Sequence, residues 1–176
     1  MKKRFAKNKG ILFWITGVSG SGKSSLGKNI KKEIINLYGP TLLINGDNLR
    51  KIFKLYDYSI KGRLDNGLKF TKLAKFITDQ KINIIFCLVG MFHKIRSENK
   101  KNIKNYIEIY IKTDIKKIIK LNKKKIYLKK KNIVGLDLIP EFPKSADIIL
   151  KNNFDQNIKY LSNELIKKIK STITFI

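Results

Sequence analysis

A chain of 176 residues with 43% hydrophobic content can bury a core of ordinary domain size, and no apolar run approaches the roughly 18 residues of a membrane span. Its formal charge of +26 would ordinarily suggest nucleic acid, but 35 lysines stand against four arginines, spread along the chain with no clustered aromatics among them. That pattern reads as a solvated surface and argues against a specific nucleic-acid or membrane partner.

Taken in order, the basic start Met1 to Gly10 precedes a short apolar run, as a targeting signal would. That run, Ile11 to Thr16, leads straight into glycine-rich sequence, so its removal would destroy the loop it enters; no targeting segment and a cytoplasmic location are expected. Residues 17–24 read G-x-x-x-x-G-K-S. Glycines at 17, 20 and 22 let the backbone close round an oxyanion with its N–H groups inward, the set being completed by Ser19, Ser21 and Ser25. Lys23 can reach the β- and γ-phosphates and Ser24 can offer a hydroxyl to Mg2+, at the positive end of a helix expected over 24–37. A strand before the loop and a helix after it supply the context the motif requires, so ATP with Mg2+ is the expected ligand.

Thr41 to Asn45 reads as a buried strand ending in Gly46-Asp47-Asn48-Leu49-Arg50. In open α/β sheets ligands sit at the carboxyl ends of strands, which brings Asp47 near the phosphate loop. A helix is expected over 64–77, then a central strand from Ile82 to Val89 that is apolar without alternation, as parallel strands are. Cys87 within it is expected to be a buried small hydrophobe; as the only cysteine it excludes an internal disulfide. Gly90-Met91 follows where a motor ATPase would carry a magnesium-binding Asp, leaving Asp47 as the better candidate for that work. His93, the only histidine, reads as an exposed polar residue. Further helices are expected over 95–104, 115–121 and 154–170, with strands over 106–111 and 147–150. The stretch Asn122 to Lys131 holds six lysines and reads equally as a solvated loop or as a lid closing over phosphates. Five strands alternating with helices, without linker or repeat, predict one doubly wound α/β domain over 1–176 with a mainly parallel sheet and helices on both faces. In a chain that defaults to lysine, Arg4, Arg50, Arg63 and Arg96 suggest a need for the planar guanidinium fork.

GVSGSGKSS, then GDNLR at a strand end, then Arg63 with Asn66 three residues on, resemble the adenylylsulfate kinase family. Gly135-Leu136-Asp137 and Pro140-Glu141-Phe142-Pro143 are similar to that family's segment after its lid, here about 122–134. The resemblance implies a P-loop kinase that moves the γ-phosphoryl group of ATP to a nucleotide's ribose 3′-hydroxyl. It implies Asp47 near that hydroxyl, as base or magnesium ligand, and Arg50, Arg63, Asn66 and Arg96 at the acceptor. Departures are also present. Ile133 stands where the family has a Phe that stacks on the acceptor adenine, Asn45 replaces the first Asp of Asp-Gly-Asp-Asn, Gly90-Met91 replaces Ser-Pro, and Leu121 replaces an ATP-side Arg. Without the stacking Phe a purine loses its platform. A diverged branch that phosphorylates cytidine diphosphoramidate in capsule phosphoramidate synthesis fits better, with adenylylsulfate as the alternative acceptor. The expected partners are thus ATP and a small nucleotide, and a homodimer is compatible with the sequence. A regulatory NTPase is the other class considered; the guanine-reading Asn-Lys-x-Asp is absent, since Asn99 and Asn122 both open runs lacking the Asp.

Overall fold

In the computed structural model, which describes residues 2–121, 134–135 and 137–176, five parallel strands form one sheet. They are β2 (Leu12–Thr16), β3 (Thr41–Asn45), β4 (Asn83–Cys87), β5 (Tyr106–Lys112) and β6 (Ile148–Lys151), in the order β3-β4-β2-β5-β6. The first sheet strand in the chain is thus central. Its successors in the chain go to one side (β3, β4) and then to the other (β5, β6), which opens a crevice at its carboxyl end.

Alternate residues of the central strands β2 and β4 feed two different cores, which is why these two are apolar almost without alternation. Phe13, Ile15, Ile85, Cys87, Ile107 and Ile109 face Leu26, Ile30 and Ile34 of α1 (Lys23–Tyr38) and Leu161, Leu165 and Ile169 of the C-terminal helix Ile158–Thr172. Leu12, Trp14, Ile84 and Phe86 face Phe70 and Ala74 of α3 (Ile60–Asp79) and Ile95 of α4 (His93–Asn102). Two shorter helices, α2 (Gly46–Ile52) and α5 (Ile115–Lys120), follow β3 and β5, and the C-terminal helix is α6. Gly67 lets α3 lie directly against Ile95 of α4: a Cβ there would lie 2.1 Å from Ile95 Cδ1. No helix among the described residues is long and apolar enough to cross a membrane.

Several boundaries differ from the sequence expectation. Helix α3 begins at Ile60 because Ser59 caps it, its side chain accepting from Gly62 N–H. Helix α6 begins at Ile158, not near 154, because Asn157 caps it and Phe154 adopts a left-handed φ of 64° that no helix interior tolerates. Two three-residue strands, β1 (Lys3–Phe5) and β7 (Ile173–Phe175), pair in parallel and tie the chain ends together; neither was expected. The lysine-rich stretch read as lid or loop, with Ile133, lies outside the described residues.

Buried asparagines clip the connections. Asn83 Oδ1 accepts from Ile11 N–H (2.8 Å) and its Nδ2 donates to Tyr38 O (2.9 Å), joining β4, the entry to β2 and the end of α1. Asn83→Ala would orphan both backbone groups, each costing about 1–3 kcal/mol when buried. The expected outcome is a loss of about 2–4 kcal/mol in urea unfolding with an unchanged m-value.

Candidate active site

The carboxyl ends of β3, β4 and β6 and the loop that follows β2 border one cleft of about 1000 Å3. Its centre is the phosphate loop. Gly22 takes φ 92° and is the residue before α1, a conformation open to glycine, and a Cβ there would press on Asn152 Nδ2 at 2.8 Å. Helix α1 carries no side-chain cap and no acid in its first turn, so its leading N–H groups and positive end are left to an anion. Lys23 is buried against the loop, its Nζ donating to Val18 O (2.6 Å) and Ser21 Oγ (3.3 Å). Ser19, Gly20, Gly22, Lys23, Ser24 and Ser25 line the cleft; Gly17 and Ser21 lie behind it as structural members of the loop. Asn152, at the end of β6, is buried and locks the loop from the far side: its Nδ2 donates to Ser21 O (3.0 Å) and its Oδ1 accepts from Phe154 N–H (3.1 Å). Asn152, Phe154 and Gln156 also line the cleft on this β6 side. Sequence reasoning missed them, although polar residues at the end of a parallel strand were a usable signal.

Strand β3 lies two strands from β2, about 10 Å across the sheet at ordinary strand spacing. Its end supplies Asn45, and α2 adds Gly46, Asp47 and Arg50. Asp47 is exposed and is the only carboxylate among the described residues that line the cleft. Arg50 and Arg63 converge on Tyr58, with guanidinium carbons 5.2 and 5.3 Å from its ring centroid. Tyr58 was not singled out from the sequence; an aromatic between the two matched arginines was its one signal. Burial holds the Arg50 guanidinium below its ordinary pKa, and Arg63 is lowered by burial and then by Arg50 itself. Two like charges are therefore gathered with partial compensation from Tyr58 and Asp47, and Arg50 Nη1 is buried without a hydrogen-bond partner. Such a pair suits a ligand with adjacent anionic oxygens.

Two predicted acceptor residues stand elsewhere. Asn66 is buried on α3 behind Gly67 and Phe70, which do line the cleft, and Arg96 is buried against Glu108 of β5, 3.0 Å from it. His93 is exposed at the start of α4. Among the described residues no three acidic, histidine or cysteine side chains gather to cage a metal. The donor set that faces the cleft, the Ser24 hydroxyl and the Asp47 carboxylate, fits Mg2+ of the kind held largely by phosphate oxygens and water.

The sequence profile of the adenylylsulphate kinase family matches residues 9–151. The chain belongs to that family. It is a kinase, and its relatives sort by acceptor. It is 36% identical over 169 residues to the cytidine diphosphoramidate kinase of Campylobacter jejuni, covering 93% of this chain and 98% of that protein. It is 30% identical over 178 residues to the adenylyl-sulfate kinase of Clostridium acetobutylicum, covering 96% and 89%. The fold is that of the Mycobacterium tuberculosis APS kinase solved with AMPPNP and APS, at a TM-score of 0.82 and 22% identity over 92% of this chain and 98% of that one.

Cys87 lies beneath the phosphate loop, its thiol donating to Lys23 O at 3.4 Å, and burial pushes its pKa up to about 12. Almost no thiolate exists at pH 8, so a thiol reagent should leave the native protein unlabelled and react fully once the chain is unfolded in urea. Rapid native labelling at pH 8, followed by loss of ATP binding, would contradict this placement.

Proposed function

We propose that this kinase transfers the γ-phosphoryl group of ATP to the ribose 3′-hydroxyl of a nucleotide bearing a 5′-diphosphate-type group, and that its preferred acceptor is cytidine diphosphoramidate, as in capsule phosphoramidate synthesis in the cytoplasm. The observation that carries the reading is the division of one cleft: an uncapped, lysine-bearing phosphate loop at its centre and a guanidinium pair about two strands away, with Asp47 as the carboxylate of that second side.

In this reading the nucleoside of ATP lies on the β6 side, along Phe154 and Gln156, and its β- and γ-phosphates rest on the loop amides and Lys23. Lys23 would leave the Val18 carbonyl for the phosphates, placing its charge where negative charge spreads in the transition state. Mg2+, held by Ser24 and through water by Asp47, would supply further neutralisation of the phosphate oxygens. Arg50 and Arg63 would take the 5′-phosphate oxygens of the acceptor and orient its 3′-hydroxyl toward the γ-phosphorus; Asp47 would receive the hydroxyl proton as the new P–O bond forms and the bond from the γ-phosphorus to the β-phosphate oxygen breaks, releasing ADP. Asn66 is buried on the same helix as Arg63, next to the cleft-lining Gly67.

The base is a separate question. Support for cytidine comes from the Campylobacter relative and from Ile133 in the sequence, which offers no aromatic face where the family stacks adenine. Adenylylsulfate is the second reading, favoured by the Clostridium relative. Measured side by side with ATP, the cytidine acceptor should exceed adenylylsulfate in kcat/KM by at least about tenfold, which needs only ~1.4 kcal/mol of differential transition-state binding. A folded Lys23→Ala protein should lose activity toward both. Preference for adenylylsulfate would overturn the cytidine assignment and leave the ordinary family activity; near-normal turnover by Lys23→Ala would overturn the placement of ATP.

A further inference from the structure

Arg96 matches a family arginine in sequence, yet each of its three guanidinium nitrogens faces a protein group. The side chain is 5% exposed. Nε lies 3.0 Å from Glu108 Oε1 on β5, near enough for an ion pair though not aligned on that oxygen as a hydrogen bond. Nη1 donates to Gly90 O (3.4 Å), and Nη2 donates to Glu141 O (2.7 Å) and meets His93 Nδ1 at 2.6 Å. Since a guanidinium cannot accept, His93 Nδ1 is the acceptor in that contact. Residue 141 is fastened to the same place twice more: its N–H donates to Met91 O (3.0 Å), and its carboxylate accepts from His93 N–H.

The loop after β4 is what this cluster fixes. Val89 and Gly90 line the cleft, Val89 O accepts from Thr16 Oγ1 (2.6 Å) at the end of β2, and Gly90 sits against the Trp14 indole, so close that a Cβ would be 3.3 Å from it. We propose that Arg96 is a positioning residue: its buried guanidinium staples the cleft-lining Gly90 loop to β5 through Glu108 and to residue 141, and it does not contact the acceptor. Lysine cannot substitute, because a point charge on a flexible stem does not hold three separated partners in one plane. The inference rests on the chain being a kinase and holds whichever nucleotide is its acceptor.

Glu108 makes the test, because it touches Arg96 from β5 and does not line the cleft. Arg96→Gln, Glu108→Gln, the double variant and Arg96→Lys are compared with the intact chain in kcat and KM for its better acceptor. Trp14, the only tryptophan, reports the Gly90 loop without any ligand. For a positioning residue, both single variants lower kcat by about tenfold or more while acceptor KM moves less than about threefold. The double variant is then no worse than the poorer single, and Arg96→Lys restores nothing. Both single variants also red-shift Trp14 emission and raise its acrylamide quenching in the ligand-free protein. The proposal falls if Glu108→Gln matches the parent in kinetics and emission, or if Arg96→Gln raises acceptor KM alone. Should Arg96→Gln fail to fold, Arg96→Lys and Glu108→Gln decide by the same criteria.

Discussion

The constraint on which the rest of this structure depends is the unmet hydrogen-bonding demand at the start of α1. A sixteen-residue helix begins after the loop that follows the central strand, with no side chain to cap it and no acid in its first turn. Its leading N–H groups, its dipole and Lys23 all favour a polyanion at one point. Holding such a point open without a ligand requires a rigid surround. Strand β2 is buried at every residue, Asn152 grips the Ser21 carbonyl from one side, and Thr16 ties the end of β2 to the loop after β4. The two hydrophobic cores on either side of the sheet keep those strand ends in register. The phosphate site is therefore a property of the fold as much as of its motif.

A second concentration of charge gives the cleft its other half. Arg50 and Arg63 are partly desolvated and repel each other, and Tyr58 with Asp47 offsets that only in part. Such an arrangement costs stability when empty, and a ligand with adjacent anionic oxygens would offset that cost. In the proposed reading, donor and acceptor are recognised by different physics: backbone amides and a helix dipole would serve the donor, paired guanidinium forks the acceptor. The separation of about two strand spacings between the sites leaves room for a phosphoryl group to pass from one to the other.

What could be read from sequence was what is contiguous. The phosphate loop needs only eight neighbouring residues, and the Gly-Asp-Asn turn sits at a strand end recognisable from its own apolar run, so the parallel sheet and the place of Asp47 were both legible. Partnerships across the chain were not. Asn152 reaches a loop 131 residues away, and Tyr58 is meaningful only because α2 and α3 bring two arginines to it. The pairing of β1 with β7 joins three-residue segments too short to show any period. Arginine scarcity signalled a need for the planar fork, but not whether protein or ligand would occupy it; at Arg96 backbone carbonyls and Glu108 do so.

The central claim is that the Arg50–Tyr58–Arg63 group holds the acceptor and the phosphate loop holds ATP. Its most direct test is the pair of Michaelis constants for Arg50→Met. Losing one charge-assisted hydrogen bond, about 1.5–3 kcal/mol, should raise acceptor KM by at least about tenfold and leave ATP KM within about twofold. An equal rise in ATP KM, or an unchanged acceptor KM, would contradict the division of the cleft.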